Sequence, residues 1–104
     1  MPLERTVDFP YSFDKVWDTS LLVLQRARWN VTRANKETGG IEIHVIMDSV
    51  TWTETFYLNM ARIDGGITKV LMGRIGLSQP VDWGLARQYI DSFFAKLDST
   101  LRES

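Results

Sequence analysis

The chain is predicted to be an α+β domain in the order β-α-β-β-β-β-α, a twisted antiparallel sheet with two helices packed on one face. Three observations lead there. Several short segments alternate polar and apolar residues with the period of a strand, two longer segments carry apolar residues at three-to-four spacing, and Gly, Asn and Asp punctuate the strand segments.

The first alternating segment, Thr6-Val7-Asp8-Phe9, stops at Pro10, which suits a short edge strand. Ser12 then offers an N-cap and Asp14 a first-turn carboxylate. Phe13, Val16, Trp17, Ser20, Leu24 and Ala27 form the stripe of an amphipathic helix over 13–28. Period two returns in Trp29–Ala34 and again in Ile41–Val45. The turn chemistry of Lys36-Glu37-Thr38-Gly39-Gly40 between them makes a hairpin.

Residues 51–63 are the longest predicted strand, and Asp64-Gly65-Gly66 turns it into 67–75. A loop with Gly73, Gly76, Pro80 and Gly84 follows. Asp82 caps a last helix whose stripe is Ala86, Ile90, Phe93, Leu97 and Leu101. Two one-sided helices need an apolar surface, and a sheet with both helices on one face supplies it.

A turn at Ser49-Val50 sets the register: Met47 faces Trp52, Ile43 faces Phe56, Ile41 faces Leu58 and Val45 faces Glu54. The face beneath the helices is then apolar except for Glu54 and Arg62. A carboxylate buried without a partner costs several kcal/mol, so Glu54 is expected at the rim, beside a base, or lining a cavity. The opposite face carries Glu42, His44, Ile46, Thr53, Thr55, Tyr57 and Asn59; in 67–75, Val70 and Met72 point one way and Leu71 and Ile75 the other, so with either turn length an apolar pair joins Tyr57 and Ile63 in a patch able to serve association.

The totals exclude several classes of function. At 104 residues, with 44% hydrophobic and 24% charged, the chain suits a single domain over 1–104. Twelve basic against thirteen acidic residues provide no positive field for nucleic acid. There are no cysteines, hence no disulfide, Fe–S or thiolate metal chemistry. No run approaches the ~20 apolar residues of a membrane span. Cytoplasm is the default location, and the cell envelope the alternative if a signal or lipid anchor has been removed ahead of Leu3.

Specific chemistry is sparse. His44 is the sole histidine and is expected to face outward between Glu42 and Ile46. Asp48 lies about 13 Å along the strand from His44 at ~3.3 Å per residue, too far to share a metal with Glu42 and His44. Gly73-Arg74-Ile75-Gly76 matches the GxxG of KH-type RNA clamps, but it leaves a strand instead of joining two helices, and its glycines are expected to serve turns. Acid–base catalysis would rest on Glu54, Asp64 or Asp82 without a visible second group, so no enzyme, metal or cofactor is expected. Trp17, Trp29, Trp52 and Trp83 come from different elements and are expected to pack around one end of the core or to line a pocket.

The strand ending in Phe9-Pro10, the helix with Phe13, Val16 and Trp17, then Trp29-Asn30-Val31 and Glu37-Thr38-Gly39-Gly40-Ile41, resemble small bacterial envelope domains of the NlpB-type lipoprotein class. The resemblance implies a helix-grip-like fold and a protein-interaction or envelope-accessory role. The chain lacks that class's lipidated cysteine.

Two functional expectations follow. The first is a non-enzymatic interaction or assembly module that meets a protein partner, or a second copy, through the outer sheet face or the 73–84 loop, with Tyr57, Arg74, Leu77 and Trp83 as contact residues. The alternative is a small apolar-ligand binding domain with a pocket between the final helix and the sheet, lined by Trp52, Glu54 and Arg62.

Overall fold

The computed structural model describes residues 3–46, 53–75 and 83–103. The elements are β1 (Glu4–Phe9), α1 (Phe13–Arg26), β2 (Asn30–Asn35), β3 (Gly40–Ile46), β4 (Thr53–Asp64), β5 (Ile67–Ile75) and α2 (Trp83–Glu103). The five strands form one antiparallel sheet in the order β1-β5-β4-β3-β2, with β1 and β2 at the edges. The order β-α-β-β-β-β-α is the one the sequence predicts.

Local chemistry sets the element ends. Ser12 Oγ accepts a hydrogen bond from the Lys15 N–H at 3.3 Å and caps α1, with Asp14 in the first turn and Arg26 in the last complementing the helix dipole. The helix ends two residues earlier than the periodicity suggests because the chain turns at Arg28. There the Arg28 N–H bonds the Gln25 carbonyl and the Trp29 N–H bonds the Leu24 carbonyl, the paired bonds of a Schellman cap, with Arg28 at φ 62°.

Gly39 stands at φ 78° in the β2–β3 turn, where a β-carbon would collide with the Met60 carbonyl oxygen. No other residue type fits without moving β4. At the far hairpin Asp64 pairs with Ile67, so Gly65-Gly66 is a two-residue turn, and a bulge between Arg62 and Asp64 absorbs Ile63.

Register is where period-two reasoning succeeds most completely. Ile41 pairs with Leu58, Ile43 with Phe56 and Val45 with Glu54. The expected Met47–Trp52 pair and the Asp82 cap lie outside the described residues. All five predicted stripe residues of α2 are buried, joined by Phe94, and they meet Ile41, Ile43, Phe56, Leu58, Val70 and Met72 from the sheet. Thr68, also buried, donates its hydroxyl hydrogen to the Tyr11 carbonyl at 3.0 Å and carries no unmet polar group into the core.

Both helices cover the same face of the sheet and touch each other. On the other face Tyr57 lies across Gly73 of β5 and donates its hydroxyl to Glu4 of β1. Burial first, then this bond and the charge of Glu4, push the Tyr57 phenol up to about 12. Gly73 is therefore a mid-strand residue kept small to seat a tyrosine ring, not the turn glycine that the GxxG spacing suggests.

Candidate functional site

Strand parity brings Glu54 of β4 and Arg74 of β5 onto the helix-covered face, one step apart diagonally, since Phe56 is the direct partner of Arg74. Their side chains are 2% and 8% exposed, and Glu54 Oε1 lies 3.8 Å from Arg74 Nη1. That distance is an ion pair but too long for a hydrogen bond. Glu54 Oε1 accepts no hydrogen bond among the described residues.

Magnitudes make the pair notable. At 3.8 Å and an effective dielectric of ~20 the attraction is about 4 kcal/mol, while taking each ion out of water costs several kcal/mol. That attraction does not by itself exceed the desolvation cost, and Glu54 Oε1 keeps an unused acceptor in a core whose other buried polar side chains, among the described residues, are Ser20 and Thr68.

Aromatic side chains frame this end of the core. Tyr89 of α2 stands 6.1 Å from the Phe56 ring and meets Trp29 edge-on at 5.4 Å. Beside them opens a depression of about 330 Å³ lined by Arg28, Trp29, Asn30, His44, Val45 and Tyr89. Val45 connects the two regions, because it lines the depression and is the cross-strand partner of Glu54. Elsewhere the helix–sheet space is filled by side chains such as Phe93, Leu97 and Met72, each 0% exposed.

The residues singled out from sequence are therefore only partly brought together. Glu54 and Arg74 meet, although sequence reasoning placed Arg74 in a surface loop and set Glu54 with Arg62 in the lining of one pocket. Arg62 lies eight residues along β4, about 26 Å away at ~3.3 Å per residue, exposed and stacked 4.3 Å over the Phe13 ring. It lines no pocket with Glu54. Tyr57 faces the opposite side of the sheet and is engaged with Glu4. Trp83 is the first residue of α2 and not part of a loop, and the supposed 73–84 loop contains the end of β5 and the start of α2. Trp52 and Leu77 lie outside the described residues.

Two further expectations need correction. Trp17 stacks on Phe13 near the start of α1, whereas Trp29 follows its end, so these two tryptophans do not share one end of the core; Trp29 instead lines the depression beside Tyr89. The outer face exposes Ile63 and Ile75, 50% and 42%, but they stand at opposite ends of the β4–β5 hairpin. With Tyr57 turned onto Gly73 between them, they do not merge into one patch. His44 faces outward as expected, 3.9 Å from Glu42, whose carboxylate also accepts from Thr32 Oγ1 at 3.0 Å. Among the described residues no group of three or more His, Cys, Asp or Glu is placed to hold a metal, and no helix there is long and apolar enough to cross a membrane.

Tyr89 and Val45 were missed as site residues, and Trp29 was named only among four tryptophans able to line a pocket. Their signal was present: Trp29 follows the predicted end of the first helix, and Tyr89 lies one residue off the α2 stripe. Spacing alone does not show that the two rings meet.

No protein-family model matches the sequence, and no curated protein matches it. Solved structures do. Protein MLL2253 from Mesorhizobium loti superposes with a TM-score of 0.68 at 12% identity, over 97% of this chain and 98% of that one. The adenylate sensor from AMP-activated protein kinase, solved in complex with 5-aminoimidazole-4-carboxamide 1-β-D-ribofuranotide, gives 0.63 at 13% identity, over 94% and 95%. A START superfamily protein from Mycobacterium smegmatis gives 0.56 at 10% identity, over 98% and 97%. At these identities the likeness establishes a shared α+β, helix-grip-like fold.

Proposed function

We propose that this chain is a non-enzymatic small-ligand binding domain in which a mostly apolar ligand enters beside Trp29 and Tyr89 and directs a hydrogen-bond donor toward Glu54. The observation that carries this reading is the buried Glu54–Arg74 pair, whose Glu54 Oε1 has no hydrogen-bond donor among the described residues. The fold shared with a START superfamily protein and with an adenylate sensor solved with a ribofuranotide supports it. Because the centre of the helix–sheet space is filled, the ligand is small, about the size of a bicyclic aromatic, and confined to the end where β3, β4 and β5 meet the first turns of α2.

Self-association or docking through the outer face is favoured less, since its exposed isoleucines stand apart. The envelope-accessory role is a proposal carried only by the residues of β1, α1 and the first hairpin.

Titration with 1-naphthol, followed by amide NMR, tests the ligand reading. Shifts should concentrate at Val45, Phe56 and Tyr89, and Glu54→Gln should weaken binding by about tenfold, the worth of a hydrogen bond to a charged acceptor. Shifts scattered over the surface, or none at saturating naphthol, would overturn it.

A further inference from the structure

We infer that the mouth of this site selects anions, so that the ligand class is a planar aromatic acid whose carboxylate is held outside the core by Arg28. This rests on the ligand reading above and assigns the polar end of the ligand.

The backbone provides the first observation. Arg28 occupies the C′ position of the α1 Schellman cap at φ 62°, a left-handed conformation that glycine adopts freely and that a side chain with a β-carbon adopts at a cost. Among the described residues it is the only non-glycine with positive φ. Glycine would make the same two backbone bonds, so the cap does not explain why an arginine stands there.

The second observation is where that arginine stands. Arg28 lines the 330 Å³ depression together with Trp29, Asn30, His44, Val45 and Tyr89. Among the described residues the Arg28 guanidinium makes no ion pair, hydrogen bond or ring contact, whereas Arg5 is paired with Asp91 and Arg62 sits over Phe13. A cation with five N–H donors is thus unspent at the rim of a pocket walled by two aromatic rings. Arg74 is a poor rival for the same anion, because Glu54 already neutralises it and a second carboxylate beside Glu54 would be repelled.

The neighbours divide the work. The Trp29–Tyr89 wall offers aromatic faces and edges to a flat ring. Asn30 and His44 can donate to the same carboxylate from the β2–β3 side. Glu42, 3.9 Å from His44, competes for the imidazole, which leaves Arg28 as the principal anion ligand.

The experiment compares two ligands that share a ring system, neutral 1-naphthol and anionic 1-naphthoate, on the wild-type chain and on Arg28→Gly. Replacing arginine by glycine at a left-handed position should raise Tm by about 5 °C. The same variant should bind naphthoate about tenfold more weakly and lose less for naphthol, which carries no charge for the guanidinium to hold. A gain of stability with undiminished naphthoate binding would overturn the inference and leave the ligand reading standing. Wild-type binding of naphthoate without naphthol, with the Arg28→Gly loss, would uphold the anion site and sink the apolar-ligand reading. Binding of neither probe would remove both. Arg28→Gln, which keeps the β-carbon and the strain but loses the charge, should reproduce the naphthoate loss without the stability gain. If it binds naphthoate as wild type does, charge is not the determinant and the inference fails.

Discussion

Two arginines on the helix-covered side of the sheet meet opposite fates. Arg62, near the β4–β5 turn, stays in water and lays its guanidinium over the Phe13 ring. Arg74, at the other end of the hairpin, is 8% exposed and faces Glu54. Strand parity is the same for both, so parity chooses the face but not the depth. Depth depends on what lies above: at the turn end the start of α1 presents a single aromatic ring, while at the other end Tyr89 and the first turns of α2 close over Phe56, the strand partner of Arg74. One cation is an ornament of the surface and the other is committed to the core.

The strongest way to break this contrast is to remove one partner of the buried pair. Glu54→Ala should lower unfolding stability by about 3–5 kcal/mol, read from urea denaturation, because it removes the carboxylate that faces the buried Arg74 charge. The Glu54→Leu, Arg74→Met double variant should come back to within ~1 kcal/mol of wild type, or exceed it, while losing preference for naphthol over naphthalene. A double variant as unstable as the single one would show that the pair holds the fold together and has no cost to relieve.

A smaller effect is expected directly behind Arg74, on the other face. Tyr57→Phe removes the hydroxyl that Glu4 accepts from and should cost about 1 kcal/mol at neutral pH. The folded-state phenol titrates near 12 against an ordinary 10.0, so its contribution is complete below pH 10 and is lost as pH rises from 10 to 12. The wild-type chain should therefore lose stability over that window more steeply than Tyr57→Phe, as followed by denaturation midpoints at each pH.

The least effect belongs to the exposed arginine. Arg62→Ala should change stability by about 0.5–1 kcal/mol, the range of an exposed cation–π contact. A loss comparable to that of Glu54→Ala would erase the distinction between the two ends.

Much of the architecture was legible because it follows from periodicity. The pairs Ile41–Leu58, Ile43–Phe56 and Val45–Glu54 follow from alternation alone, and the α2 stripe from three-to-four spacing. The site was less legible for a physical reason. Glu54 could be assigned to the inner face, but its partner depended on the diagonal offset between β4 and β5, which the Gly65-Gly66 turn and the bulge at Ile63 set together. Arg62 shares the inward parity of Glu54 on the same strand, and sequence separation along β4 should have counted against setting them in one pocket. Gly73 misled for a similar reason: a glycine reads as a turn unless one knows that Tyr57 lies opposite and needs its space. The Arg28 conformation had no sequence signal, since arginine, unlike glycine or asparagine, does not mark a left-handed turn.

The register shift between Val31 and Arg33, where Thr32 turns its hydroxyl to Glu42, has a consequence for behaviour at high concentration. β2 is a sheet margin, and a flat margin with a free row of N–H and C=O groups would template another strand. The kink breaks that row midway. Straightening it by deleting Thr32 is expected to raise the tendency of the chain to form fibrils at high concentration.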